Sequence, residues 1–247
     1  MPKWCDAKVV RKQIWTDGLF TIEIESPDVK AFEPGQFLHL ALGDEQKRVN
    51  RPYSVASPHG ETIEFFIVRV DDGALTPKLW ALDEGATLQV SEKAAGRFTL
   101  KHTPPAKNLW LIGTGTGLAP YIAMLRSDQV WNDFEKVVVV HGVRYAADLA
   151  YTDELNQLAE SKDGRFSLIQ ALTREESATT LHGRIPGLLE DGSLENSAGC
   201  TMQQDNSSVL LCGNPAMLDD MEAKLGERNM KRHRSKSPGQ IVLERYW

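Results

Sequence analysis

The chain has 247 residues, 41% hydrophobic and 25% charged, with a net charge of −6. That is enough chain for one large or two ordinary domains around buried cores, and the composition argues against wholesale disorder. The charge is shared equally, −3 on residues 1–100 and −3 on residues 101–247, so a strongly basic, nucleic-acid-binding half is excluded. Residues 20–25, Phe-Thr-Ile-Glu-Ile-Glu, alternate apolar and polar, as a half-buried strand does. Residues 37–42, 62–70 and 87–90 read the same way. Turn signals separate them at Glu33-Pro34-Gly35, Pro58-His59-Gly60 and Asp71-Asp72-Gly73. Short strands at this spacing predict an antiparallel β-barrel or sandwich. A helix is predicted from Thr76 to about Ala81, with Thr76 as N-cap and Pro77 at the first helical position. Residues 101–108, with Pro104-Pro105 among polar neighbours, read as a linker. The predicted division is therefore residues 1–102 and residues 103–247.

Beyond the linker the pattern changes. Residues 109–112 are continuously apolar, then come glycines, then a helical stretch to about Leu125. Residues 137–141, 166–172 and 209–212 are further apolar strands, and 240–244 is a final one. Helices are predicted over 153–161 and 217–229. Buried strands alternating with helices predict an α/β doubly wound parallel sheet. Residues 193–208 carry no clear pattern. Cys5, Cys200 and Cys212 show no CxxC and no metal-ligand spacing with histidine, so neither a disulfide framework nor a metal or iron–sulfur site is expected. That cysteine usage makes a reducing cytoplasm the expected setting, and with no apolar run of signal-peptide or membrane-spanning length neither a signal peptide nor a membrane span is expected.

The first apolar run of the second half leads straight into Gly113-Thr114-Gly115-Thr116-Gly117-Leu118-Ala119-Pro120. Glycines allow a tight turn that brings backbone N–H groups against a phosphate, and a following helix N-terminus favours negative charge. The spacing is not that of the strict dinucleotide fingerprint, and a tight turn that binds nothing would look the same. An NAD site usually has an acidic residue at the end of its second strand, for the ribose 2′-hydroxyl. Here that strand ends His141-Gly142-Val143-Arg144, the third ends Ala171-Leu172-Thr173-Arg174, and Arg184 follows. Guanidinium groups pair phosphate bidentately, so this set points to NADP; solvated surface arginines are the plain alternative.

Arg51-Pro52-Tyr53-Ser54 falls at a strand start in the predicted barrel, and Gly73-Ala74-Leu75-Thr76 falls at a predicted helix start. Taken with the glycine loop, Cys212-Gly213-Asn214-Pro215 and the closing Tyr246-Trp247, the chain resembles the ferredoxin/flavodoxin–NADP+ reductase family. The likeness is greatest to bacterial members that end in tryptophan, and it covers essentially the whole chain. It implies a FAD-binding barrel followed by an NADP-binding α/β domain. By motif, Arg51 and its neighbour Pro52 would lie at the FAD phosphates, Tyr53 beside the flavin ring and Ser54 near flavin N5. Ile67, Val68 and Arg69 would contact FAD, and Gly73, Ala74, Leu75 and Thr76 would hold its pyrophosphate. Thr116 would lie where the two nucleotides meet, and Tyr246 and Trp247 would cover the flavin or its adenine. NADP(H) would use Gly113, Thr114, Gly115, Thr116, Val143, Arg144, Thr173, Arg174, Arg184, Cys212, Gly213, Asn214 and Pro215. Ser54, Cys212 and Glu244 are the candidate catalytic residues. A buried cysteine is equally a small hydrophobe, and Glu244 is equally a surface charge.

The implied reaction moves hydride between nicotinamide C4 and flavin N5, which requires the rings to be stacked. The one-electron partner must be a separate ferredoxin or flavodoxin. Such carriers are usually acidic, so a basic docking face is expected despite the net charge. Its candidates are Lys47, Arg48 and Arg51, then Arg11 and Lys12, and the run Lys231-Arg232-His233-Arg234-Ser235-Lys236. A monomer is expected. The alternatives are an NAD(P)H–flavin reductase acting on free flavin and a non-catalytic subunit that senses flavin or nucleotide.

Overall fold

The computed structural model describes residues 3–44 and 46–245. Tyr246 and Trp247, expected at the flavin, lie outside the described residues. The chain divides into two compact units, Met1–Leu100 with Ala119–Ser127, and Lys101–Leu118 with Asp128–Trp247.

The first unit contains β1 (Trp4–Thr16), β2 (Leu19–Glu25), β3 (Phe37–Leu42), β4 (Val49–Ser54), β5 (Thr62–Val68), helix α1 (Thr76–Trp80), β6 (Thr87–Ser91) and helix α2 (Ala119–Leu125). Its strands form one antiparallel sheet in the order β4-β3-β6-β1-β2-β5. The period-two pattern puts Phe20, Ile22 and Ile24 inside, against Leu38, Leu40, Ile63, Phe65, Ile67 and Val90. The outer side of β2 is covered too: Thr21 is buried, and its hydroxyl accepts the Trp15 indole N–H at 2.8 Å. The sheet curls until its edges meet. Val55, just past β4, bridges antiparallel to Phe65 of β5, and the Ala56 N–H donates to the Glu64 carbonyl at 2.8 Å. Arg126, at the end of α2, donates to the Ala56 carbonyl and to the Glu64 carboxylate, each at 3.0 Å, across the same closure.

The start of α1 differs from expectation. Leu75 is the N-cap, without a side-chain bond, and Thr76 and Pro77 are the first two helical residues. The Thr76 hydroxyl bonds backward instead. It accepts the Val70 N–H at 2.9 Å and donates to the Val70 carbonyl at 3.2 Å, which closes the 70–76 turn. This turn also ends β5 at Val68, short of the predicted Val70.

The second unit contains β7 (Asn108–Thr114), α3 (Asp128–Asp133), β8 (Lys136–Val143), α4 (Thr152–Ser161), β9 (Phe166–Leu172), β10 (Leu181–His182), α5 (Ile185–Glu190), α6 (Ser193–Ala198), β11 (Ser207–Gly213), α7 (Pro215–Glu227) and β12 (Ile241–Arg245). All strands are parallel, in the order β10-β9-β8-β7-β11-β12. This is the doubly wound sheet expected. Strands are laid outward from β7 to β10, and the chain then crosses back to put β11 on the other side of β7. The connections after β7 and β11 therefore leave in opposite directions, which makes the switch point where open α/β sheets bind ligands. The patternless stretch 193–208 is structural. Leu194, Ala198 and Met202 join the core, while the Glu195 carboxylate accepts Arg228 Nη1 at 2.8 Å and the Met202 N–H at 2.7 Å. Among the described residues no helix is long and apolar enough to cross a membrane.

Candidate functional site

In the first unit, Arg51, Pro52, Tyr53 and Ser54 lie on β4, an edge strand of the sheet. Pro52 lacks an N–H, which only an edge tolerates. Because the Val55–Phe65 bridge is antiparallel, moving back along β4 from Ser54 to Arg51 tracks forward along β5 toward Ile67 and Arg69. The two sequence-distant motifs therefore share one side of the unit. Arg51 is exposed, and Nη1 donates to the carbonyl of its neighbour Asn50, at 2.7 Å. Burial pushes the Tyr53 phenol up to about 12, with Arg51 pulling slightly the other way, so it stays a neutral donor. Ser54 is buried. The Arg69 guanidinium stacks over the Trp80 ring, 5.0 Å from its centroid, and bonds Asp71 at 2.9 Å.

Ile67 and Leu75 have their side chains in the barrel core, so only their backbones remain to contact a ligand. Val68 and Val70, by contrast, are large apolar side chains left exposed beside them. At Gly73 a Cβ would meet Thr76 Oγ1 and the Val70 carbonyl, each at 2.9 Å, so the turn closes only around a bare backbone. An exposed guanidinium, a neutral half-buried aromatic, exposed valines and a glycine turn suit the phosphates and flat amphipathic ring of FAD.

In the second unit the glycine loop follows β7 as a 3-10 turn, Gly115–Leu118, in which Thr116 is half-buried. It is bolted to the end of β11. Thr114 Oγ1 accepts the Asn214 N–H at 2.9 Å, and a Cβ on Gly117 would lie 2.6 Å from the Cys212 carbonyl. Asn214 caps α7 by accepting from the Ala216 and Met217 N–H groups at 2.9 and 3.4 Å, with Pro215 in the first turn. Strand register then sets one row across the sheet: Glu244, Cys212, Gly113, His141 and Gln170. Residues in register on parallel strands share a face, so both catalytic candidates of this unit point to the same side. Cys212 is fully buried and Glu244 is half-buried.

One strand further, the ends of β8 and β9 run side by side. The Thr173 N–H donates to the Val143 carbonyl at 3.2 Å, and the Arg174 N–H donates to the Arg144 carbonyl at 3.0 Å. The Gly183 N–H donates to the Leu172 carbonyl at 2.8 Å, which brings Arg184 to the next strand end. All three arginines are exposed, and among the described residues none is paired with a carboxylate.

Two further residues belong here that sequence patterning left without a role. His141 was legible only as the end of an apolar run, and nothing in the sequence pattern singled out Glu175. The Glu175 carboxylate accepts the Ala146 N–H and so pins the turn that follows Arg144.

The expected docking residues divide sharply. Arg11 pairs with Glu23, Lys12 gives its ammonium to the Trp80 and Leu82 carbonyls, Arg48 bonds Gln89 and covers Trp4, and Arg232 pairs with Glu222. Lys47 and Arg51 on the first unit, and Lys231, Arg234 and Lys236 on the second, are exposed.

The chain is similar to proteins of known identity over its whole length. The model of the oxidoreductase NAD-binding domain family matches residues 111–223. Flavodoxin/ferredoxin–NADP reductases of Escherichia coli (strain K12) and Shigella flexneri are each 41% identical over 249 residues, covering 100% of both chains. A solved structure, a ferredoxin NADP+ reductase from Neisseria gonorrhoeae with bound FAD and NADP, matches with a TM-score of 0.94 at 28% identity, again over 100% of each chain.

Proposed function

The chain belongs to the flavodoxin/ferredoxin–NADP reductase family, and on that premise we propose how its residues carry the family's reaction. It transfers electrons between NADPH, which reacts as a hydride donor, and ferredoxin or flavodoxin, which exchanges electrons singly. FAD, when bound, supplies the step between two-electron and one-electron chemistry.

Arg51 holds the FAD phosphates, with the turn Gly73, Ala74, Leu75 and Thr76 giving backbone contacts. Tyr53 lies against the flavin as a neutral phenol. Val68 covers apolar ring surface, and the Ile67 and Arg69 backbones fix its polar rim. NADP(H) lies on the loop Gly113, Thr114, Gly115, Thr116 and on Gly213, Asn214 and Pro215. Val143, Thr173 and the guanidiniums of Arg144, Arg174 and Arg184 receive the 2′-phosphate. Cys212, buried at the end of β11, backs the nicotinamide site with an apolar wall. Ser54 and Glu244 are the polar groups available to hold or pass a proton. The observation that carries this reading is the junction of the β7 and β11 ends, with two exposed arginines hydrogen-bonded backbone to backbone at the adjoining strand ends.

Arg144→Ala and Arg174→Ala test it. Each is expected to raise the KM for NADPH roughly tenfold to a hundredfold, the worth of a charge-assisted phosphate contact, and to leave the KM for NADH unchanged. Equal losses with both nucleotides would remove the arginines from the 2′-phosphate site. The one-electron carrier docks on exposed cations, Lys47 on the first unit and Lys231, Arg234 and Lys236 on the second. The protein works as a monomer in the cytoplasm.

A further inference from the structure

His141 is an anomaly in its strand. It follows four valines, Val137 to Val140, in the centre of the parallel sheet, and it is fully buried. Its Nε2 lies 3.0 Å from the Gly115 carbonyl, and among the described residues its Nδ1 has no hydrogen-bond partner. Its neighbours in register are Gly113, which has no side chain, and Gln170, whose amide donates to Thr152 at 3.0 Å.

A carbonyl only accepts, so the imidazole proton must sit on Nε2. Burial favours the neutral ring, which has a single N–H. The ring therefore spends its one donor on Gly115 and leaves a buried acceptor unsatisfied. A fifth valine would avoid that penalty. What a valine would not supply is the bond to Gly115, and that bond is what sets this residue apart from the rest of the strand. Gly115 has φ +53° and opens the 3-10 turn, so its carbonyl direction decides the path of the loop that follows. The loop is then clamped on two sides, by Thr114 and Gly117 against β11 and by His141 from β8.

We infer that His141 is a positioning residue for NADP(H): its Nε2–H fixes the Gly115 carbonyl and thereby the shape of the loop on which the dinucleotide lies. The inference rests on the nucleotide-binding reading of that loop.

The test uses the FAD-loaded protein and three variants, His141→Gln, His141→Asn and His141→Leu. A glutamine amide reaches the place of Nε2, an asparagine amide that of Nδ1, and leucine offers no donor. The dissociation constant of NADP+ is read from the flavin difference spectrum. KM and kcat for NADPH are measured with ferricyanide as acceptor, and thermal melts are recorded alongside. The expected result is NADP+ binding weakened at least about fivefold in the asparagine and leucine variants, with kcat within about twofold and the flavin spectrum unchanged, while glutamine stays within about twofold of wild type. A leucine variant that binds NADP+ like wild type, or a glutamine variant no better than asparagine, would overturn it. If leucine does not fold, the glutamine–asparagine comparison decides alone. Wild-type protein that shows no NADP+ difference spectrum would overturn the loop reading and this inference together. NADP+ binding that Arg144→Ala weakens and no His141 variant alters would overturn this inference only.

Discussion

Tyr53 and His141 are both kept neutral by burial, which moves their titrations in opposite directions. The phenol rises to about 12 and the imidazole falls to about 4. For His141 the consequence is a pH-dependent stability. Unfolded, its pKa returns to 6.5, so between about 6.5 and 4 the unfolded chain binds the extra proton and the folded chain does not. Stability therefore falls as pH drops through that window, by about 3 kcal/mol in all, and no such loss occurs above it. Urea unfolding of wild type and His141→Gln at pH 7.5 and pH 4.5 checks this. Wild type is expected to lose more stability than the variant on acidification, and equal losses would contradict it. At Arg144 and Arg174 the governing fact is different: two like charges are held at backbone-paired strand ends, and among the described residues neither forms an ion pair with a carboxylate. That arrangement invites a polyanion, and the differential effect on NADPH and NADH described above is its measure.

At the scale of elements, Arg126 adds side-chain bonds to the backbone closure of the first sheet and joins α2 to the seam where the edges meet. Its guanidinium is 29% exposed at the side chain and faces a Glu64 carboxylate that is only 10% exposed. Arg126→Ala removes the cation from a nearly buried anion and is expected to destabilise the first unit by about 2 kcal/mol, at the lower end for broken buried pairs because of the partial exposure. Chemical denaturation of the flavin-loaded protein reads this out; an unchanged midpoint would show the seam holds without it. Arg126 is also a case where sequence was silent, because nothing local marks a helix-terminal arginine as a partner for a strand 62 residues away. Alternation made β2, β3, β5 and β6 legible, since one face of each is apolar. It failed for β1, where Cys5, Ala7 and Val9 face inward but register shifts after Val9 and Ile14 break the period. Helices α5 and α6 have six residues each, too few to display a 3.6-residue period. The Thr76 cap was misread because a hydroxyl at a helix start also has the Val70 backbone within reach. The glycine loop and the strand-end arginines were legible because they are contiguous signals. The row from Glu244 to Gln170 was not, since it exists only in the register of strands that are far apart in sequence.

For the whole molecule, if its ferredoxin or flavodoxin carrier is acidic, docking on this acidic chain calls for locally concentrated positive charge. Lys47, Lys231, Arg234 and Lys236 are the docking candidates whose side chains are exposed and not assigned to FAD. If they guide docking, reduction of flavodoxin slows by roughly tenfold as salt rises from about 0.05 to 0.5 M, while reduction of ferricyanide by NADPH changes far less. A flavodoxin rate indifferent to salt would remove charge-guided docking. The central claim, that one unit carries flavin and the other delivers NADPH in preference to NADH, is met most directly by the visible spectrum of the purified protein under anaerobic titration with each nucleotide. The account predicts a yellow protein bleached by stoichiometric NADPH and poorly by NADH. A colourless protein that takes up no added FAD, or a yellow one that NADPH leaves unbleached, would contradict it.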